Sequence, residues 1–360
     1  MRILLFALAF LSCPFVFSQS IFDAAYAQAP LIPDGVLEAV AWNNTRMVHL
    51  TNEEASCTGM PQAYGIMGLH DNGQNYFREN GQLVATLSGI SVETQKNQAA
   101  QQILAYALAF QSLYLEKLNG GETADPAPAL RDVFYALSEI PDSGVVNRFA
   151  RDAQVYGFLS FMCDPVQAQL YAFTRAQYSL ESLFGPANHA VLSSKHIRFS
   201  SQGIVGDKNI HYQASTLKST DYGPALWNPA ATCNFSSRQG VAISAITIHT
   251  VQGTYAGCIS WFQNCAASVS AHYVIRSSDG QVTQMVDEAD KAWHVGTENP
   301  YTIGYEHEGY VNNPSWYTPE MYEASANLSR DIVNSGYGIN PLRTFDGPAT
   351  SGTNLLGGCI

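Results

Sequence analysis

Basic side chains are scarce in this chain. Lysine and arginine together number 18 in 360 residues, against 30 aspartates and glutamates, for a formal net charge of −12. Neutralising a nucleic-acid backbone takes clustered Lys and Arg, and no such cluster occurs, so nucleic acid is excluded as a partner. Charged residues make up 13% but hydrophobic residues 46%, the balance of a globular chain and not of a disordered one. Beyond the N-terminus no apolar run is long enough to span a bilayer, so no transmembrane helix is expected. Internal repeats and low-complexity segments are lacking, as is the H-E-x-x-H helix that holds zinc in many peptidases. The length allows two domains with separate cores.

What is present begins with a leader. Arg2 precedes the apolar stretch ILLFALAFLSCPFVF, followed by small and polar residues, which is the layout of a secretory signal peptide. Ala25-Tyr26-Ala27 is an A-x-A-like cleavage site and sets the signal peptide at 1–27, with a cut nearer Ser18 as the alternative. The FLSC around Cys13 is a poor lipoprotein box, because Phe10 stands where a leucine is wanted. Six cysteines then remain, Cys57, Cys163, Cys233, Cys258, Cys265 and Cys359. An even number in a secreted chain suggests disulfides. Cys258 and Cys265, flanking ISWFQN, are the expected pair, and buried thiols are the alternative reading.

Residues 31–185 read as a helical domain. Leu104, Leu108, Leu115 and Leu118 form an apolar stripe near the 3.6 period. NGG at 119–121 ends that helix, PDSG ends a second, and Asp164-Pro165 starts a third of about 20 residues that stops near Gly185. Residues 186–220 are richer in glycine, serine and asparagine and read as a β-rich connecting segment. From 221 to 360 the pattern is mixed α/β. AISAITIHTV is a strand with Thr247 and His249 on one face. AHYVIRSSDGQVTQMV is a hairpin turning at Asp279-Gly280. YTIGYEHEGY is a strand with Gly304, Glu306 and Glu308 on one face, and Thr318-Pro319-Glu320 caps a last helix. The expected class is α+β, with an all-helical N-terminal domain and a mixed-sheet C-terminal domain.

The second domain concentrates polar chemistry on apolar strands: His249, His272, His294, Glu306, His307 and Glu308. Burying such groups costs free energy without partners or a metal. A catalytic zinc takes three protein ligands and leaves one position open, while a carboxylate nearby takes a proton from water. Histidine and glutamate on adjoining strands meet that need, though core packing explains single histidines as well.

The segments ITIHT, VSAHYVI, DGQVTQMV, KAWHVG and TIGYEHEGY, in that order, resemble the zinc-dependent N-acetylmuramoyl-L-alanine amidases related to peptidoglycan recognition proteins. The resemblance implies the amidase fold, zinc as cofactor, and peptidoglycan as partner, cut between N-acetylmuramic acid and L-alanine. His249 matches the first zinc ligand and Glu306 the catalytic base. His272 and His294 match positions that line the pocket or support the metal ligands without binding the metal themselves, and Trp293 and Tyr255 are candidates to line the substrate groove. A secreted or periplasmic location in a bacterial envelope is implied with it. The helical domain more faintly resembles lysozyme-like lytic transglycosylases, through LEAVAWNNTRMVHLT…CTGMPQAYGIMGL. Asn44 stands where their acid would be, and an amide cannot donate a proton as a carboxylic acid does. A non-catalytic, glycan-gripping domain is expected, with Glu38 and Glu53 as the nearest carboxylates.

One departure from the amidase pattern stands out. That family's remaining metal ligands come late, from a GH segment followed by an aspartate, but no histidine follows His307 and Asp346 comes too early. The amidase domain therefore reads as C-terminally incomplete, two zinc ligands short. The competing function is non-catalytic peptidoglycan recognition.

Overall fold

Helices carry the first half of the chain, as its periodicity requires. The computed structural model describes residues 15–74, 76–120, 126–200, 203–212 and 232–339. Cys13, Asp346, Cys359 and most of the segment joining the two halves lie outside them. The helices are α1 (Phe15–Gln28), α2 (Val36–Thr45), α3 (Asn80–Ser88), α4 (Val92–Asn97), α5 (Ala99–Gly120), α6 (Ala127–Ser138), α7 (Val145–Cys163), α8 (Pro165–Leu170), α9 (Leu180–Phe184) and α10 (Pro186–Leu192). On α5 the buried stripe is Ile103, Tyr106, Phe110 and Tyr114, whereas Leu115 and Leu118 are 37% and 41% exposed. The period was right and the face wrong, because the aromatic side chains bury more area than the leucines they displaced. The expected 20-residue helix after Asp164-Pro165 is two short ones, α8 and α9, with Ala172 between them at a φ of 54°.

Phe22, Ala25 and Ala29 of the α1 region are buried in the core, and the Tyr26 hydroxyl donates to Glu38 at 2.7 Å. A cut after Ala27 would remove Phe22, Ala25 and Tyr26 from this packing and leave Ala29. Among the described residues no helix is long and apolar enough to cross a membrane.

The second half is built on a six-stranded mixed sheet. Its strands are β1 (His196–Ser200), β2 (Gly203–Val205), β4 (Ala245–Thr250), β5 (Tyr273–Ile275), β6 (Val282–Gln284) and β8 (Thr302–His307), in the order β2-β1-β6-β5-β8-β4. A second ladder pairs β3 (Phe235–Ser237) with β7 (Asp290–Ala292). β5 and β6 form the expected hairpin, antiparallel about Asp279-Gly280. Gly280 has a φ of 72° and a Cβ there would lie 2.5 Å from the Glu320 carbonyl oxygen, so only glycine fits this turn. Helix α11 (Tyr255–Phe262) follows β4, and α12 (Pro319–Asn334) is capped by Thr318, whose Oγ1 accepts from Met321 N.

Two expectations about the joint are corrected. Residues 196–205 are β-structure, the form expected of HIRFSSQGIVGDKNIHYQAS, but they do more than connect: β1 runs parallel to β6 and extends the C-terminal sheet. Nor do the cores divide at that boundary: Ile275, Ile303, Tyr305 and Met321 form a cluster of their own in the C-terminal half, but the larger cluster is shared. It includes Val40, Phe110 and Phe158 of the helices together with Ile259, Trp261, Phe262 and Val274. Helix α11 is apolar all round and buries every residue, with α7 against one side and β5 against the other.

Candidate active site

β4 and β8 are parallel neighbours, and their register sets His249 beside Glu306. Both side chains are buried, at 1% and 0% exposure. Period-2 alternation turns the next pair, Thr250 and His307, the other way. There the His307 Nδ1 proton goes to the His249 carbonyl oxygen at 3.2 Å, which ties the two strands together on the far side. A third residue joins the pair from the helical half. Cys57 Sγ lies 3.8 Å from His249 Nδ1 and 3.9 Å from Glu306 Oε1. The ligand atoms of all three lie within 4.8 Å of one another.

Behind His249 a chain of hydrogen bonds assigns the protons. Thr302 Oγ1 donates to the Glu298 carbonyl oxygen at 2.8 Å, so towards His294 it acts as acceptor of the Nε2 proton at 3.2 Å. The Nδ1 of a neutral His294 then offers a lone pair. His249 Nε2, 3.1 Å away, donates into it. That leaves the His249 Nδ1 lone pair pointing at Cys57 and Glu306. His294 is held well below the usual imidazole pKa by burial, with His249, His272 and Arg238 adding to it, so the neutral form is the one present. Gly304 makes room for this ring: a Cβ there would sit 2.4 Å from His294 Nδ1.

A cleft of about 400 Å³ opens beside the cluster, with Cys57, Val269, Lys291, Trp293, His294 and Asn299 in its wall. Trp293 is half-buried there and donates its Nε1 proton to Ser236 Oγ at 3.1 Å. Neither of the other two candidates reaches the cleft, although the His272 ring packs edge-on against that of His294, with centroids 5.6 Å apart. His272 is fully buried under the sheet, where its Nδ1 accepts from Gly304 N at 3.0 Å and its Nε2 lies 2.7 Å from Arg238 Nη2. Burial first, then that guanidinium, pushes its pKa down to about 3. It is a neutral strand clamp. Tyr255 is buried as well, its hydroxyl bonded to Gln281 and Thr283, and it lines no part of the cleft. Its backbone N–H, like that of Ser277, donates to the Glu308 carboxylate at 2.8 Å, so Glu308 closes a loop junction and stays apart from the cluster.

The expected Cys258–Cys265 disulfide is overturned. Cys265 is bonded to Cys233, closing a 32-residue span, while Cys258 is a buried thiol inside α11. The helix fixes Cys258 facing the core, and the turn after α11 carries Cys265 away from it. In the helical half, Asn44 donates to the Met67 carbonyl oxygen at 2.9 Å and accepts from Gln154 at 3.2 Å. It borders a cavity of about 280 Å³ between α2, α7 and the start of α11. Glu38 is buried under Tyr26 and does not line that cavity.

Cys57 is the residue that sequence reasoning missed, since it stands 192 positions before His249 and in no motif. Its sequence signal was only that of a cysteine with no obvious partner.

The family model for N-acetylmuramoyl-L-alanine amidase matches residues 239–354. The N-acetylmuramoyl-L-alanine amidase A of Achromobacter lyticus is 47% identical over 136 residues, which is 38% of this chain and 76% of that relative. No solved structure is a significant match. The family match takes in β4 through α12, with His249 and Glu306, and begins beyond the helical half.

Proposed function

Because this chain belongs to the N-acetylmuramoyl-L-alanine amidase family, we propose that it hydrolyses the amide joining the lactyl group of N-acetylmuramic acid to L-alanine in peptidoglycan, with zinc held at His249 and Glu306 as the base. The observation that carries this reading is the register of β4 on β8, together with the hydrogen-bond chain that points the Nδ1 lone pair of His249 at the space beside Glu306.

The donors present suit zinc: an imidazole nitrogen, a carboxylate and a thiol within 4.8 Å of one another. His249 would be the first ligand. When bound, zinc supplies Lewis acidity that makes water a competent nucleophile near neutral pH. The protein's own residues do the rest. His294 and Thr302 hold the His249 ring in one tautomer and orientation, as outer hydrogen bonds do for metal-ligating histidines. Glu306 takes a proton from the attacking water and returns it to the departing L-alanine nitrogen, leaving a lactyl carboxylate and a free amine. The buried strands around the pair exclude bulk solvent, which strengthens each of these interactions. Trp293 and Lys291 line the cleft and in this reading meet the sugar face and the stem-peptide carboxylate. The leader directs the chain to the cell envelope, where this substrate is found.

Glu306→Gln is the deciding variant. It keeps the shape of the site but cannot accept a proton. Release of L-alanine-terminated peptide from a muramoyl-peptide substrate is expected to fall by a factor of about 10² to 10⁴, with zinc bound as in the parent chain. Turnover at the parental rate would remove Glu306 as the base.

A further inference from the structure

Cys57 stands where an amidase of this design needs water. An attacking water has to touch the metal beside His249 and donate to Glu306. Cys57 Sγ lies at nearly equal distances from the two, 3.8 Å from His249 Nδ1 and 3.9 Å from Glu306 Oε1. Two ligand atoms on one tetrahedral zinc are roughly 3.6 Å apart, given bonds of about 2.0–2.3 Å. The spacing is therefore that of a sulfur sharing a metal with the imidazole. A thiolate is also a stronger zinc ligand than water.

We propose that Cys57 is an inhibitory latch, a thiol delivered by the helical half that holds the water position of the amidase site until the segment carrying it swings away. This rests on the amidase reading above and names how that site is regulated. The latch has a fixed side and a loose side. After Cys57 the chain is pinned to α11: Trp261 Nε1 donates to the Thr58 carbonyl oxygen at 2.8 Å, and Met60 packs so closely on Gly253 that a Cβ there would lie 2.1 Å from its methyl. Before Cys57, residues Thr51, Asn52, Glu54 and Ala55 are exposed, and the restraints on that side are few: the buried Ser56, bonded to Thr58, and the Glu53 carbonyl oxygen, which accepts from Gln62 at 2.8 Å. Cys57 is also part of the wall of the 400 Å³ cleft, while His249 and Glu306 are buried behind it. Withdrawing this one residue joins the cleft to the buried pair.

The test uses the whole purified chain with zinc as the probe. Iodoacetamide labelling of Cys57, read peptide by peptide, is expected to slow at least tenfold when zinc is added, to recover with EDTA, and to lose its zinc dependence in His249→Ala. Cys57→Ser and Cys57→Ala are expected to cleave a muramoyl-L-alanine substrate about tenfold or more faster than the parent while binding zinc less tightly. A Cys57 labelling rate indifferent to zinc overturns the latch, and so do Cys57 variants no faster than an active parent. If no form turns over, the amidase reading fails. The labelling then decides alone, and protection abolished by His249→Ala supports the sulfur–metal contact without needing the activity.

Discussion

Thr302 shows how far from the chemistry a single hydroxyl can act. It touches neither Cys57 nor Glu306, yet its one proton is committed to the Glu298 carbonyl oxygen, and that commitment sets the tautomers of His294 and then of His249. Thr302→Val keeps the shape and removes the acceptor. His294 is then released to carry its proton on Nδ1, facing the Nε2 of His249, and the ligand lone pair is no longer guaranteed. Zinc affinity is expected to drop by about 10- to 100-fold, the usual cost of losing an outer-shell partner, with folding stability changed little. Isothermal titration of the apo-protein with zinc reads this directly, and an unchanged affinity would break the proposed relay. At this scale the sequence was legible wherever a residue sat in a strand with a pattern of its own. His249, Glu306 and His294 are brought together, as expected. His272 packs on the His294 ring, within the supporting role its position implied, whereas Tyr255 lies away from the cleft, which was not legible because a strand pattern tells which residues are buried but not which side of the sheet holds the cleft. Cys57 could not be read at all, since a contact spanning 192 residues leaves no local mark.

Elements explain why the halves of the chain differ in legibility. Strands β4, β5 and β8 are short and apolar with period-2 polar positions, so their spans followed from sequence, as did the β5–β6 hairpin, whose turn at Gly280 admits only one residue type; the parallel pairing of β8 with β4 and β5 did not. The helices gave their period but not their buried face, as α5 shows, because packing partners choose the face. Helix α1 is where this mattered most. The same residues read as a cleavage site in sequence and pack as a helix in the fold. Tyr26 of α1 donates to Glu38 of α2, and burial pushes the Glu38 carboxyl up to about 7. A carboxyl raised in the fold binds its proton more tightly than in the unfolded chain. Stability from this group is complete below about pH 4.5 and is lost as pH rises through about 7. The loss amounts to about 3 kcal/mol for a shift of this size. Glu38→Gln, which keeps an acceptor for Tyr26, is expected to flatten that decline. Urea midpoints of parent and variant at pH 4.5, 6 and 8 check it, and parallel curves would refute it.

For the molecule as a whole, the question is whether helices and sheet are two bodies or one. The shared core argues for one, and so does the seam at Arg46. Its guanidinium lies 3.7 Å from the centroid of Trp42, on α2, and 3.9 Å from that of Trp316, beside the sheet. It also bonds to Ser277 Oγ. Burial lowers its pKa to about 10, which leaves it charged at neutral pH, with the nearby Glu308 carboxylate opposing that shift. A desolvated cation between two aromatic faces contributes on the order of 2 kcal/mol. Arg46→Met keeps much of the side-chain volume and removes the charge, so both the aromatic sandwich and the cation near buried Glu308 are lost together. Because one apolar cluster spans both halves, the loss is expected to lower the unfolding midpoint of helices and sheet by the same amount. The helical signal in far-ultraviolet circular dichroism and the tryptophan fluorescence of the sheet side should move as one transition. If the fluorescence midpoint moved alone, the halves would be independent bodies. A latch carried by one half could then not be held in place over the site in the other, so the cooperativity of unfolding bears on the regulation of the site as well as on the fold.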